Sequence, residues 1–226
     1  MITVVGLGPL KTGNISMGAY GAIRSAPIVF VRTEKHPAVD QLKADGVRFS
    51  SFDRFYESSQ TFSEVYTKIA AEIIRIAEAE GDVVYAVPGH PLAGETAVSL
   101  LIDEARRKQI PLKIVGSESF IEASLEAAGC GFDEGLMVVD ALSMSKVSPV
   151  PAVPNLIYQV YDKSIASDVK LALMEAYPDE FPVTVIRGAG SPEESVERVP
   201  LHRLDRCRCD HLTTVYVPPL KDKENE

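Results

Sequence analysis

Between Asp82 and Thr96 the chain reads Asp-Val-Val-Tyr-Ala-Val-Pro-Gly-His-Pro-Leu-Ala-Gly-Glu-Thr. That is a buried strand, a sharp Pro-Gly loop and the start of a helix. In an open α/β sheet, ligands are held at the carboxyl ends of the strands. Gly89 and Gly94 leave backbone groups open to a ligand, and His90 stands between Pro88 and Pro91 as a polar insert. Such a loop fits a small-molecule site, and by itself it names no chemistry.

The other stretches able to do chemistry each carry a plainer reading. Gly6-Leu-Gly-Pro-Leu10 starts like a dinucleotide fingerprint, but Lys11 stands where the third glycine is needed and Pro9 spoils the turn. A small anion between Gly6 and Lys11 is a minor alternative. No G-x-x-x-x-G-K-[ST] is present, which excludes a P-loop. Cys207-Arg-Cys-Asp-His211, with His202 nearby, gathers zinc-type ligands. A structural zinc site usually has two residues between its cysteines and a fourth ligand. A surface turn with incidental thiols at Cys207 and Cys209 accounts for the segment equally simply, so no metal is expected. Metal-dependent hydrolysis lacks H-E-x-x-H and acidic helical clusters. Gly116-Ser-Glu-Ser-Phe120 lacks the glycine that closes a nucleophile elbow. His36, before Pro37, reads as a loop residue.

The elements that position these residues follow from apolar periodicity. Strands are expected at 2–5, 28–31, 83–87 and 112–115. Helices are expected at 14–26, 38–44, 95–108 and after Thr61, whose spacing to Glu64 fits a capping box. The helix after Thr61 carries Val65, Ile69, Ile73 and Ile76 on one stripe. Residues 49–62 read as an irregular connection. This alternation implies a mostly parallel sheet covered on both faces. Beyond a helix at 119–128 strands outnumber helices: 136–140, 156–161, 183–187, 196–199 and 213–217, with one helix at 165–177. The expected organisation is an α/β domain over 1–116, a mixed-sheet α/β domain over 117–220, and a charged tail or truncated linker at 221–226.

The totals narrow the class. Of 226 residues, 46% are hydrophobic and 24% charged, which is ordinary for a globular protein. A net charge of -9 argues against nucleic-acid polymers and anionic membranes as partners. No apolar run approaches the roughly 20 residues of a membrane span. Three cysteines do not make a disulfide framework, and the N-terminus already reads as a strand. A cytoplasmic protein is expected.

Val4-Val-Gly-Leu-Gly-Pro9, Gly89-His-Pro91 and the two-domain rhythm together resemble the tetrapyrrole methylase family, the class III fold of S-adenosylmethionine-dependent methyltransferases. The resemblance runs from Ile2 to about Leu220. It is closest to the N-terminal half of MazG-fused, YabN-type proteins, through Arg32-Thr-Glu-Lys-His-Pro37, Val84 to Leu92, Gln159-Val-Tyr-Asp162, Ser167 to Glu175 and Asp210-His-Leu-Thr213. It implies a homodimer with S-adenosylmethionine in a cleft between domains, S-adenosylhomocysteine as product, a small-molecule acceptor and a MazG domain in cis. Carried over by position, Pro9, Pro88, Gly89, His90, Ala93, Ser119, Phe120, Val160 and Ala189 border the cofactor.

The chain departs from the family pattern where Gly-Asp-Pro becomes Gly89-His-Pro91, where Gly-Pro-Gly-Asp becomes Gly8-Pro-Leu-Lys11, and where Pro-Gly becomes Gly116-Ser117. Binding through backbone groups survives these changes, whereas retention of the tetrapyrrole substrate does not follow. Methyl transfer is mainly a positioning task and needs a base only for a protonated nucleophile. Tyr56, Asp53, Tyr161 and Asp162 are candidates for the acceptor side. The other class of function is a non-catalytic ligand-sensing module serving an attached MazG domain.

Overall fold

Short Val- and Ile-rich runs form β1 (Ile2–Gly6), β2 (Val29–Val31), β4 (Val83–Val87) and β5 (Leu112–Val115), joined at one edge by β3 (Ser50–Ser51). All pairings are parallel, in the order β3-β2-β4-β1-β5. β1 and β4 are buried throughout, as strands covered on both faces must be. The computed structural model describes residues 1–9, 15–133 and 135–220. Lys11 and the charged tail at 221–226 lie outside the described residues. The chain divides into two compact units after Phe120.

In the first unit, alternate residues of β4 serve opposite layers. Val83, Tyr85 and Val87 join the core of α4 (Phe62–Glu80) and α5 (Thr96–Arg107). Val84 and Ala86 join that of α1 (Met17–Ser25) and α2 (Pro37–Ala44). The α4 stripe is buried as its periodicity requires, and Thr61 Oγ1 accepts the Glu64 N–H at 3.2 Å. Residues 49–62 are more ordered than their composition implies, holding β3 and a short α3 (Asp53–Ser58). The reason is aromatic packing: Phe52 is fully buried, stacked on Phe30 at 4.9 Å and on Phe55 at 5.5 Å.

The second unit opens with α6 (Phe120–Ala128). Its sheet contains β6 (Met137–Asp140), β7 (Asn155–Tyr158), β8 (Pro182–Arg187), β9 (Ser195–Pro200) and β10 (Thr213–Val217), in the order β6-β7-β10-β8-β9. Only β6 and β7 run parallel, so the sheet is mixed. One core joins the sheet to α7 (Lys163–Met174) and a 3-10 helix at Leu201–Arg206. α7 starts two residues earlier than the periodicity implies because Asp162 caps it, accepting the Ile165 N–H at 2.9 Å. Fully buried Asn155 ties down the proline-rich connection, bonding Val150 through both backbone groups and Tyr177 Oη at 3.1 Å. Among the described residues no helix is long and apolar enough to cross a membrane.

Candidate functional site

β1 leads into α1 on one face of the first sheet, whereas its neighbour β4 leads into α5 on the other. Loops that leave adjacent strand ends in opposite directions open a crevice between them, the usual ligand position in such sheets. The chain lines this crevice with backbone. Gly8 N–H donates to the Gly89 carbonyl at 3.2 Å and Gly89 N–H to the Gly8 carbonyl at 2.7 Å. Both glycines are left-handed, with φ of +76° and +64°, where a β-carbon is strained.

Gly6 allows the second loop to cross the end of β1. A β-carbon there would sit 2.4 Å from the Gly89 oxygen and 3.0 Å from Pro91 Cδ. Two serines fasten the neighbouring ends. Ser117 Oγ donates to the Gly6 carbonyl at 2.7 Å and accepts from Ser16 N–H at 3.0 Å. Ser16 Oγ donates to the Gly116 carbonyl at 2.7 Å and caps α1 by accepting from Ala19 N–H at 3.1 Å.

The residues expected to border a cofactor fall into three groups. Pro88, Gly89, His90 and Ala93 share the loop after β4, and the Gly8–Gly89 pairing brings Pro9 beside them. Gly89 has open space where a side chain would stand. Ser119 is buried and Phe120 half-buried at the start of α6, just beyond the stapled Gly116-Ser117. Val160 and Ala189 belong to the second unit. Val160 follows Gln159, a non-glycine residue held at φ +63°, and its side chain is committed to the core. Its backbone N–H is also engaged, donating to the Thr213 carbonyl at 3.3 Å. Ala189 sits half-buried between Gly188 and Gly190.

His90 does not extend freely from its loop. Its Nδ1 accepts the Leu92 N–H at 3.1 Å, and its ring lies over Gly116, where a β-carbon would be 2.4 Å from Nε2. An Asp side chain makes the same short turn to the backbone N–H two residues on. This is a local reason why Gly-His-Pro can stand where the family has Gly-Asp-Pro.

Several contributors were not legible in the sequence. His36 is the buried N-cap of α2 rather than a loop residue, with Nδ1 accepting from Ala38 N–H at 3.3 Å. Burial pulls its pKa down to about 4, against an opposing interaction with the Gly8 backbone. Glu95 does more than start α5 with a negative charge: it is buried and pairs with Arg32 at 2.5 Å, Nη1 to Oε1. Burial raises the Glu95 pKa while Arg32 works to lower it. For Arg32, burial opposes the charge, yet Glu95 and then Tyr56 and Tyr85 hold the guanidinium protonated.

The acceptor-side candidates divide similarly. Asp53 accepts from Thr33 Oγ1 at 2.6 Å and Glu34 N–H at 2.8 Å, so it shapes the loop after β2. Tyr56 lies near Arg32 and Glu95, Asp162 is a helix cap, and Tyr161 is 41% exposed. Cys207 is buried, which pushes its thiol up to about 11. Among the described residues no three His, Cys, Asp or Glu side chains converge to hold a metal. The Gly8 and Gly89 N–H and C=O groups bond each other, so what the described residues offer a ligand here is the open face at Gly89 and the rest of the loop around it.

Residues 1–205 match the family model described as tetrapyrrole (corrin/porphyrin) methylases. The chain is 38% identical over 224 residues to YabN of Bacillus subtilis (strain 168), covering 99% of this chain and 46% of that protein. It thus spans about half the length of that curated relative. Uroporphyrin-III C-methyltransferase from Thermus thermophilus superposes with a TM-score of 0.76 at 18% identity, over 96% of this chain and 94% of that one. A second structure of that enzyme, complexed with S-adenosylhomocysteine, gives 0.68 at 17% identity over 96% of each chain. At these identities the structural likeness is one of fold.

Proposed function

Because this chain belongs to the tetrapyrrole methylase family and has the class III S-adenosylmethionine-dependent methyltransferase fold, we propose that it binds S-adenosylmethionine at the Gly8–Gly89 crevice and transfers its methyl group to a small-molecule acceptor. The observation that carries the reading is the paired-glycine cradle at diverging strand ends. Its residues fit the group. Gly89 has open space on its ligand-facing side, and Gly6 and Gly116 leave no room for a side chain that would push the loops apart.

When bound, the cofactor supplies an electrophilic methyl group on a positively charged sulfur. Everything else asked of the chain is placement. Pro88, Gly89, His90 and Ala93 are proposed to hold the cofactor together with Pro9, which the Gly8–Gly89 pairing brings beside them, and the Ser16 and Ser117 staples tie the neighbouring strand ends. Fixing a donor against an acceptor in this way can supply several kcal/mol of the barrier reduction. Ser119, Phe120, Val160 and Ala189 are proposed to complete the contacts by family position. Homodimer formation, a cytoplasmic location and a MazG-type nucleotide pyrophosphohydrolase domain in cis are proposed on the resemblance alone.

Calorimetric titration with S-adenosylmethionine and S-adenosylhomocysteine tests the reading. Saturable binding of both is expected. No heat and no thermal shift at millimolar ligand would sink it.

A further inference from the structure

β2 and β4 are also neighbours whose chains leave on opposite faces, toward α2 and α5, so a second crevice flanks β4. Arg32 and Glu95 stand on its two lips. Behind them Tyr85 is 0% exposed, and its hydroxyl has no hydrogen-bond partner among the described residues. The same holds for Arg32 Nε. The phenols of Tyr56 on α3 and Tyr66 on α4 lie within electrostatic reach of both Arg32 and Glu95. Next to them Phe62 is 68% exposed, stacked on Tyr66 at 6.2 Å with Tyr56 edge-on at 6.4 Å.

A buried donor left unpaired costs about 1–3 kcal/mol. Two such donors, with the Tyr56 and Tyr66 phenols within electrostatic reach of the same Arg32–Glu95 pair, mark a place built to receive hydrogen-bond acceptors. The guanidinium gives Nη1 to Glu95 and keeps its Nε edge, the edge that meets a planar carboxylate or a phosphate through two parallel bonds. Burial raises the Glu95 pKa while Arg32 works to lower it, and the anion is met by the guanidinium edge that Glu95 does not use. The exposed Phe62–Tyr66 stack supplies a face for a flat ring.

Resting on the reading of the Gly8–Gly89 crevice as the cofactor site, we propose that Arg32, Tyr85, Tyr56 and Tyr66 form the acceptor subsite, and that the acceptor is a planar aromatic acid. Its carboxylate or phosphate is taken by the Arg32 Nε edge and the Tyr85 hydroxyl, and its ring lies against Phe62 and Tyr66.

The test titrates the full chain with benzoate and with phenyl phosphate, using inorganic phosphate and benzyl alcohol as controls for the anion and the ring alone. At least one aromatic acid is expected to bind tenfold tighter than either control, and which one binds separates a carboxylate from a phosphate acceptor. Tyr85→Phe should weaken that binding about tenfold. The variant should keep or raise the ligand-free melting temperature, because it removes an unpaired buried hydroxyl. S-adenosylmethionine affinity should not change. Aromatic acids binding no better than the controls, or a Tyr85→Phe variant with a lowered melting temperature and unchanged affinity, would overturn the proposal. If the cofactor binds and the acids do not, the subsite alone fails. If the acids bind through Tyr85 and the cofactor does not, the anion site stands and the methyltransferase reading fails.

Discussion

Gly6→Ala probes the cradle most directly. The new methyl carbon would sit 2.4 Å from the Gly89 carbonyl oxygen, with Pro91 Cδ and Ser117 N each at 3.0 Å. None of these is the end of a flexible side chain, so relief requires the 88–91 loop to withdraw by about 1 Å. Overpacking of this kind costs about 1–3 kcal/mol. The withdrawal also strains the two Gly8–Gly89 hydrogen bonds, each worth about 1 kcal/mol. A loss of about 3 kcal/mol corresponds to a melting temperature lower by about 6–12 °C for a chain of this size. S-adenosylmethionine affinity should fall at least tenfold, because the loop that holds it has moved. Gly21→Ala is the control, since that α1 position has nothing within 4 Å of the new carbon. It should gain about 0.5–1 kcal/mol and leave affinity alone. Circular dichroism melts paired with calorimetric titration read both quantities. A Gly6→Ala protein that melts within a degree of the parent and binds the cofactor equally would refute the close-approach reasoning.

His90→Asp should keep the fold, because Asp can accept the Leu92 N–H as His90 does. The added negative charge should tighten S-adenosylmethionine binding by on the order of fivefold at low salt, and unchanged affinity would leave only the backbone of the loop as the site. His36 makes stability depend on pH. Its folded pKa of about 4 lies below the unfolded value, so the unfolded chain takes up the proton first. Its contribution is complete above about pH 6.5 and is lost as the pH falls toward 4, on the order of 3 kcal/mol in all. His36→Asn retains a good N-cap and should flatten this slope in urea midpoints measured from pH 4 to 7; an unchanged slope would assign the acid sensitivity to other groups.

Much of the fold is written locally. The Val-rich runs of β1 and β4, the spacing of Val65, Ile69, Ile73 and Ile76, and the Thr61 cap each depend on neighbours within a turn or two, and the structure has them as the periodicity requires. The 49–62 segment misleads for the same reason. Its order comes from Phe52 meeting Phe30 and Tyr85, residues distant in sequence. His36 shows no local sign of burial, and the Gly8 backbone that it meets lies just beyond a different strand.

The sequence by itself determined that residues 82–96 form a strand, a glycine-bearing loop and a helix, and that the first sheet is parallel and covered on both sides. Local propensity and apolar period suffice for that. Only the tertiary structure decided what faces what. Strand order puts β1 and β2 on either side of β4, which pairs Gly8 with Gly89 and brings Arg32 to Glu95 across 63 residues. No periodicity within either segment encodes that meeting. It arises because the two chains leave adjacent strand ends in opposite directions, and polar groups buried there must find partners across the gap or hold themselves for a ligand.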